Sequence, residues 1–365
     1  TGRGAVKRLA NYLSFTATAG LALIGDGDVD LVFVEAQPIT LALPALVNRV
    51  LRGVPYVYNT PDLQVEYAAE DRWVGVRALV GAARTLEQRL MKGALTVTTV
   101  THAFIEHFAQ ERGIDLSRLT FLPNGADTEA LHPSPHDAVL ALKLGVGDRK
   151  VFTFAGTHAP YQGIEVILDA AKLLRDRPDV VFLMVGEGPM RQPLIERAER
   201  EGLDNLLFRS SPFSEMQRLM SITTASLVVL RPLGISKLMR LSKAIPPLAC
   251  GVPLIYAGWG ETADIVRREQ VGIIVEPGDA EGLAAAVRRL ADDVELRNDL
   301  GARGRVFAER EMSWAFLVKD WIRQIERVVA GEDPDVPGLR EHLARASAER
   351  GDREVPTRAA ASSER

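Results

Sequence analysis

Short strand-like runs alternate along this chain with longer segments whose apolar residues recur every three or four positions. In the first third the runs are Leu31 to Val34, Val54 to Tyr58, Leu95 to Val100 and Leu119 to Leu122, with helix-period segments between them. Val180 to Val185 reads VVFLMV, with no polar residue, which suits a parallel strand covered on both faces. Ser226 to Leu230 reads as another strand. After Gly163, the residues Ile164, Ile167, Leu168, Ala171 and Leu174 make one apolar helical stripe. Leu283, Ala286, Val287 and Leu290 make another behind Asp279, a good helix N-cap. Ser214 and Gln217 have capping-box spacing ahead of strand Ser226 to Leu230. Ser313 to Ala330 is a last amphipathic helix, striped by Trp314, Leu317, Val318, Trp321, Ile325 and Val328. Strands alternating with helices predict parallel sheets with helices on their faces, an α/β protein.

At 365 residues the chain is too long for one ordinary core, so two domains are expected. The periodicity fails between Leu131 and Lys150, where His132, Pro133, Ser134, Pro135, Gly145 and Gly147 intervene. The reading is therefore an incomplete Rossmann-like domain over residues 1–133, a linker over 134–150, a second Rossmann-like domain over 151–312 and the helix 313–330. The segment 331–365 is rich in Gly, Pro, Ala and charge, and reads as a disordered tail. No stretch approaches the roughly 20 apolar residues of a membrane-spanning helix. Asn11 to Ile24 comes nearest and reads as a buried or amphipathic helix. A formal charge of −4 argues against nucleic acid as a partner. The single cysteine, Cys250, allows no internal disulfide, which points to a reducing compartment and a packing role for the residue.

The chemistry collects in three turns of the second domain: AGTH (Ala155 to His158), VGEGPM (Val185 to Met190) and SKAIPPLACGVP (Ser242 to Pro253). Turns at the carboxyl ends of parallel strands are where open α/β sheets bind ligands, and a helix that follows offers free N–H groups to a phosphate. Ser242 and Lys243 at a helix start put N–H groups, a hydroxyl and a cation on one phosphate. Ser236 and Lys237 repeat the dipeptide, which leaves a shifted register open, with Lys237 as the phosphate ligand. His158 follows a buried strand in a glycine-flanked loop, where an imidazole can reach a phosphate or sugar hydroxyl or simply bond to backbone. Gly156 and Gly163 allow close backbone approach or a tight turn.

The order and wording of these segments resemble glycosyltransferase family 4. The resemblance runs over about residues 29 to 330. It is carried in the first half by DLVFVEAQP, by GVPYVYNTPDL with Asp62 and Glu66, and by FLPNGADTEALHP through Asn124, Gly125 and Asp127. In the second half FTFAGTHAPYQGIEVILDAAKLL, GEGPMRQPLIERAEREGLDNLLF and VGIIVEPGDAEGLAAAV carry it, with Ser313 and Trp314 ahead of the last helix. The resemblance implies a retaining transferase of the GT-B fold, two Rossmann-like domains facing a cleft with a C-terminal helix crossing back to the first. It implies transfer of a hexosyl unit from a nucleoside-diphosphate sugar to a glycan or lipid-linked sugar acceptor, in cell-envelope or polysaccharide assembly. By the same resemblance His158 and Lys243 are the catalytic candidates, and Gly156, Thr157, Gln162, Gly186, Glu187 and Ser242 line the donor. Asp62, Glu66 and Asn124 lie on the acceptor side. No DxD-type carboxylate pair or His/Cys cluster stands out, so no metal and no cofactor beyond the donor substrate is expected. The chain begins at Thr1 without a methionine, and the family's first strand and glycine-rich loop are expected upstream.

The departures from the family pattern define an alternative. Ser242 to Pro253 resembles the stretch SKxxExxAxGxP, yet Pro246 stands at the second of the family's paired glutamates and Leu238 at the first. In the shifted register Arg240 replaces the second glutamate. A degenerate, noncatalytic nucleotide-sugar-binding or partner protein of the same fold is therefore the second reading, and a sugar epimerase a weaker third. Trp73, Val74, Val80, Leu86 and Leu90 interleave with Arg72, Arg77, Arg84, Arg89 and Lys92, a pattern open to a lipid-facing helix or to an ordinary surface helix with a buried stripe. The expected location is cytoplasmic, with a peripheral place at the inner face of the membrane kept open.

Overall fold

The computed structural model describes residues 2–63, 65–66 and 77–350, and its contacts divide the chain into two units. The first comprises residues up to Leu122 together with those from Asp320, and the second runs from Pro123 to Lys319. The helix Trp314–Val329 is thus shared between them in sequence.

In the first unit, β1 (Val32–Glu35), β2 (Tyr56–Thr60), β3 (Thr96–Thr99) and β4 (Leu119–Phe121) form a parallel sheet in the order β1-β2-β3-β4. The order never reverses, so among the described residues this sheet has no topological switch point. β2 and β3 are buried at every position, and the threonines of β3 bond inside the sheet, Thr98 with Thr120 at 2.8 Å and Thr99 to the Thr60 carbonyl at 3.2 Å. The outer edge of β4 is closed by one side chain: Gln324, fully buried, accepts from the Phe121 N–H at 2.7 Å and donates to the Phe121 carbonyl at 3.1 Å.

The second unit is doubly wound. β5 (Lys150–Ala155), β6 (Val180–Val185), β7 (Leu206–Arg209), β8 (Ala225–Val229), β9 (Leu254–Ala257) and β10 (Gly272–Val275) lie in the order β10-β9-β8-β5-β6-β7, all parallel. The chain starts at the centre, moves outward through β6 and β7, then crosses to the other side of β5. That reversal between β5 and β8 opens a crevice at the carboxyl ends of the strands. The expected stripes Ile164, Ile167, Leu168, Ala171, Leu174 and Leu283, Ala286, Val287, Leu290 are all in the core, and Asp279 caps its helix by accepting from Gly282 N–H at 2.8 Å. Ser214 makes no capping box: residues Phe213–Glu215 form a 3-10 turn ahead of the helix Met216–Ser221, whose N-cap is Glu215.

Three expectations need correction. The break between units falls at Leu122/Pro123 and not at residues 134–150, because Leu140, Ala141 and Leu144 of the helix Ala138–Leu144 bury themselves in the core of the second unit. The segment after Gly331 is not a disordered tail through residue 350. Leu339–Arg350 is helical and lies on the helix His102–Arg112, with His102 Nε2 2.7 Å from the Pro337 carbonyl, His342 Nε2 3.0 Å from Glu106, and Val336 buried. The long first helix, Gly2–Gly25, leaves Tyr12, Leu13, Phe15, Leu21 and Ile24 exposed. Gly20 packs against Pro44 of the helix Ala42–Arg52, and the Thr16 hydroxyl bonds with that of Thr40 in the 3-10 turn Ile39–Leu41 before it, at 2.8 Å. Arg72, Trp73 and Val74 of the basic-apolar patch lie outside the described residues. The helix Arg77–Gly93 beside them buries Leu90 and exposes Arg84, Arg89 and Lys92, an amphipathic surface helix. No helix among the described residues is long and apolar enough to cross a membrane.

Candidate active site

The turns that leave β5 and β6 interlock. Gly156 N–H donates to the Val185 carbonyl at 2.9 Å, His158 N–H to the Glu187 carbonyl at 2.8 Å, and Met190 N–H to the His158 carbonyl at 2.9 Å. The approach is close enough that only glycine fits at 186: a Cβ there would lie 2.0 Å from the Gly156 carbonyl oxygen. Across the switch point, Gly163 takes a left-handed φ of 68° with its Cα against the backbone of Arg231, whose N–H donates to the Tyr161 carbonyl at 3.1 Å. The loops after β5 and β8 are therefore pinned to each other at the mouth of the crevice.

Lys243 enters this mouth from the 3-10 turn Ser242–Ala244. Its ammonium donates to the side-chain oxygen of Gln162, lies 5.0 Å from the centre of the Phe154 ring, and would be 3.6 Å from a Cβ on Gly156. Among the described residues no carboxylate pairs with it, and burial alone lowers the ammonium to about 7. Lys237, the alternative in the shifted register, is exposed and rests over the Trp259 ring at 5.4 Å. Of the two Ser-Lys dipeptides, the fold brings Lys243 to the β5 turn. The helix that follows, Ile245–Ala249, is five residues long and has Pro246 and Pro247 in its first turn. Two N–H donors are thus missing where a phosphate would look for them, and the expected helix-end contribution shrinks to the lysine itself.

His158 is fully buried, and neither ring nitrogen has a hydrogen-bond partner. The ring lies 5.7 Å from Phe154 and 6.1 Å, edge-on, from Phe208. Burial, helped by the charge of Arg191, holds its pKa below the ordinary histidine value, so the imidazole is neutral. Two orphaned nitrogens carry a desolvation penalty of about 1 to 3 kcal/mol each unless a ligand or water meets them. Glu187 is exposed on the next turn, where Ser210 donates to its carboxylate and Arg191 lies 3.7 Å away. Thr157 and Ser242 are exposed, while Gln162 is buried beside Lys243.

Of the acceptor-side candidates, Asp62 and Glu66 belong to the first unit. Glu66 belongs to a buried ion cluster of the first unit: Arg112 donates to it and, at 3.2 Å, to Glu87, and His107 lies at 3.4 Å. Burial would raise its pKa, but the bonds from His107 and Arg112 outweigh burial and hold it below the usual carboxylate value. Asp62 accepts from Gln37 Nε2 at 3.2 Å, and burial lifts its pKa against that bond. Asn124 belongs to the second unit, in a loop whose next residues bridge to the start of the helix Trp314–Val329: Ala126 N–H donates to the Met312 carbonyl at 2.8 Å and Trp314 N–H to the Ala126 carbonyl at 3.1 Å. Phe154 and Arg191 were not singled out by sequence. Phe154 could have been, as the last aromatic of an apolar strand before a glycine turn; Arg191, the first residue of its helix, carried no signal.

A doubly wound unit with an unpaired, partly buried cation at its switch point is the form of a nucleotide-binding α/β domain. Residues 2–125 match the family described as glycosyl transferase 4-like domain, and residues 143–307 the family described as glycosyl transferases group 1. The chain belongs to glycosyltransferase family 4, with the GT-B fold. It is 27% identical over 299 residues, 80% of its length and 75% of the relative's, to the GDP-mannose-dependent alpha-(1-6)-phosphatidylinositol monomannoside mannosyltransferase of Mycolicibacterium smegmatis. It is also 27% identical to the D-inositol 3-phosphate glycosyltransferase of Paenarthrobacter aurescens, covering 67% of this chain and 60% of that one. Among solved structures, HepE of Anabaena in complex with UDP superposes with a TM-score of 0.68 at 17% identity, covering 86% of this chain and 81% of that one. The chain is a glycosyltransferase by this kinship, and the reading as a noncatalytic relative gains no support from it.

Proposed function

We propose that this chain transfers a hexosyl unit from a nucleoside-diphosphate sugar to a hydroxyl of a glycan or lipid-linked acceptor. The observation that carries the reading is Lys243, a cation held in the crevice with no carboxylate among the described residues beside it. A diphosphate supplies the missing anion. Breaking the bond between the sugar's anomeric carbon and the diphosphate leaves negative charge on the leaving oxygen, and Lys243 neutralises it as it develops. Gln162 holds the lysine in place, and His158 offers a neutral N–H to a phosphate or sugar hydroxyl. Gly156, Thr157, Gly186, Glu187 and Ser242 line the donor, and Asp62 stands on the acceptor side. Relatives named for GDP-mannose and for phosphatidylinositol acceptors favour a hexose donor and a lipid-linked sugar acceptor, with the work done at a membrane face.

Thermal denaturation of the full chain with GDP, UDP and their hexose conjugates tests this. A ligand at about 100 times its dissociation constant stabilises the native state by about 2.7 kcal/mol, a visible rise in Tm. If no nucleotide raises the melting temperature, the donor-site reading is wrong.

A further inference from the structure

Two helices and the chain beyond β2 meet in a buried ionic cluster that no part of the donor chemistry uses. Arg112 donates through one nitrogen, Nη2, to Glu66 and, at 3.2 Å, to Glu87. Glu87 stands on the helix Arg77–Gly93, and Arg112 ends the helix His102–Arg112. One buried guanidinium thus faces two buried carboxylates, which leaves the cluster short of one positive charge or one proton. Burial, joined by the charge of Glu66, pushes the Glu87 carboxyl up to about 7 against the pull of Arg112 and Arg84, while Glu66 stays below the usual carboxylate value. Glu87 is therefore the carboxyl that holds the proton.

The cluster also carries idle groups. Among the described residues, Arg112 Nε, Glu66 Oε2 and the hydroxyl of Tyr58 on β2 are buried with no hydrogen-bond partner. Burial first, then the charge of Glu87, raises the Tyr58 phenol, so its hydroxyl keeps its proton. An N–H and an O–H are thus available to Glu87 once it ionises. An ionised Glu87 competes with Glu66 for Arg112 and repels it as a like charge. Glu66 is the one to give way, being the more exposed, at 12% of its side chain against 6%. Of the other charged and titratable groups, Arg84 attracts Glu87 from the same helix, and His107 reaches the cluster through Glu66 at 3.4 Å. Tyr56, the neighbour of Tyr58 in the cluster, donates to the Leu90 carbonyl.

We propose that Glu66, Arg112 and Glu87 form a proton-operated latch. With Glu87 protonated, Arg112 holds Glu66 and ties the chain beyond β2 to the helix His102–Arg112. With Glu87 ionised, its proton lost to solvent, Arg112 is drawn towards it and the tie loosens. The folded value of about 7 lies above the value of about 4.3 for a glutamate in an unfolded chain, so the folded chain holds the extra proton between the two. Stability of the first unit therefore falls as pH rises through that window. Asp62, on the acceptor side of the transferase reading, lies shortly before Glu66, and the latch makes that side sensitive to pH. That consequence rests on the transferase reading, and the latch on the cluster alone.

Chemical denaturation of the full chain between about pH 4.5 and 8.5, parent against Glu87→Gln, tests the latch. Hydrogen exchange of peptides spanning β2 to Glu66 is followed over the same range and corrected for its intrinsic pH dependence. Glutamine keeps the shape of the protonated acid and cannot ionise. The folding constant of the variant relative to the parent is expected to rise by up to about tenfold per unit from about pH 5 to 7 and to level off above that. In a Glu66→Gln background the same comparison should level off at a lower pH, because the charge that raises Glu87 is gone. Exchange in those peptides should quicken above pH 7 in the parent and stay slow in Glu87→Gln, with peptides of the second unit alike in both. A ratio flat with pH, or exchange that follows pH equally in both proteins, overturns the latch. Exchange in the parent that does not change with pH overturns it whether or not the variant folds. Nucleotide binding, measured alongside, reports on the donor reading alone, so the two failures are told apart.

Discussion

Lys243 Nζ donates to the side-chain oxygen of Gln162, joining the loop that leaves β5 to the segment beyond β8 across the point where strand order reverses. The ammonium is kept there with no compensating anion among the described residues. Its pKa of about 7 when folded lies well below the value near 10.4 of an unfolded chain. Between those values the unfolded chain binds more protons, so burying Lys243 lowers stability fully below pH 7, and the penalty fades as pH rises towards 10. Lys243→Met is therefore expected to raise the melting temperature of the unliganded protein at pH 6.5 to 7, with the gain vanishing near pH 10. A variant that melts lower at every pH would contradict this.

The same pKa gives donor binding a pH dependence. A sugar-capped diphosphate has no proton to lose near neutrality, so Lys243 is the group whose charge changes. Affinity for a nucleoside-diphosphate hexose should be full below pH 7 and fall by up to about tenfold per unit above it, until the raised pKa of the complex is reached. Titrations from pH 6 to 9 check it, and an affinity flat across that range would count against a lysine contact.

Gly186→Ala should be damaging out of proportion to one methyl group. Its Cβ would meet the Gly156 carbonyl oxygen at 2.0 Å, an atom of the backbone that cannot swing aside, so the β5 and β6 turns must separate. A loss of about 1 to 3 kcal/mol is expected, with weaker nucleotide binding. Chemical denaturation would show it, and a wild-type midpoint would mean the turns are not interlocked.

Ending the chain at Ala330 should destabilise the first unit. It removes the burial of Val336, the His102 bond to the Pro337 carbonyl and the His342 contact with Glu106. Together these are worth about 1 to 3 kcal/mol. A melting curve identical to the parent's would show the docked helix to be idle.

Much of the second unit was legible because its elements obey one period each. Val180–Val185 is the strand that six apolar residues predict, and the stripe from Ile164 to Leu174 is buried along its length. The division of the chain was misread because Leu140, Ala141 and Leu144 sit amid Pro, Ser and Gly, and a seven-residue helix is too short for its period to stand out. The segment after Gly331 was misread for a similar reason: Val336 is a lone apolar residue, and the helix Leu339–Arg350 docks largely through histidines. At the site, glycine turns and a Ser-Lys pair announce phosphate chemistry through their backbone needs. The orphaned state of His158 depends on strand register, which no local pattern carries.

Isothermal titration of GDP and UDP into the full chain, Lys243→Met and Lys237→Met tests the central claim most directly. One nucleotide should bind the parent and the Lys237 variant alike, and bind the Lys243 variant about 10- to 150-fold more weakly, the loss of one charge-assisted hydrogen bond. Equal affinity in parent and Lys243→Met, or a loss confined to Lys237→Met, would contradict the claim that Lys243 holds the donor's diphosphate at the switch point.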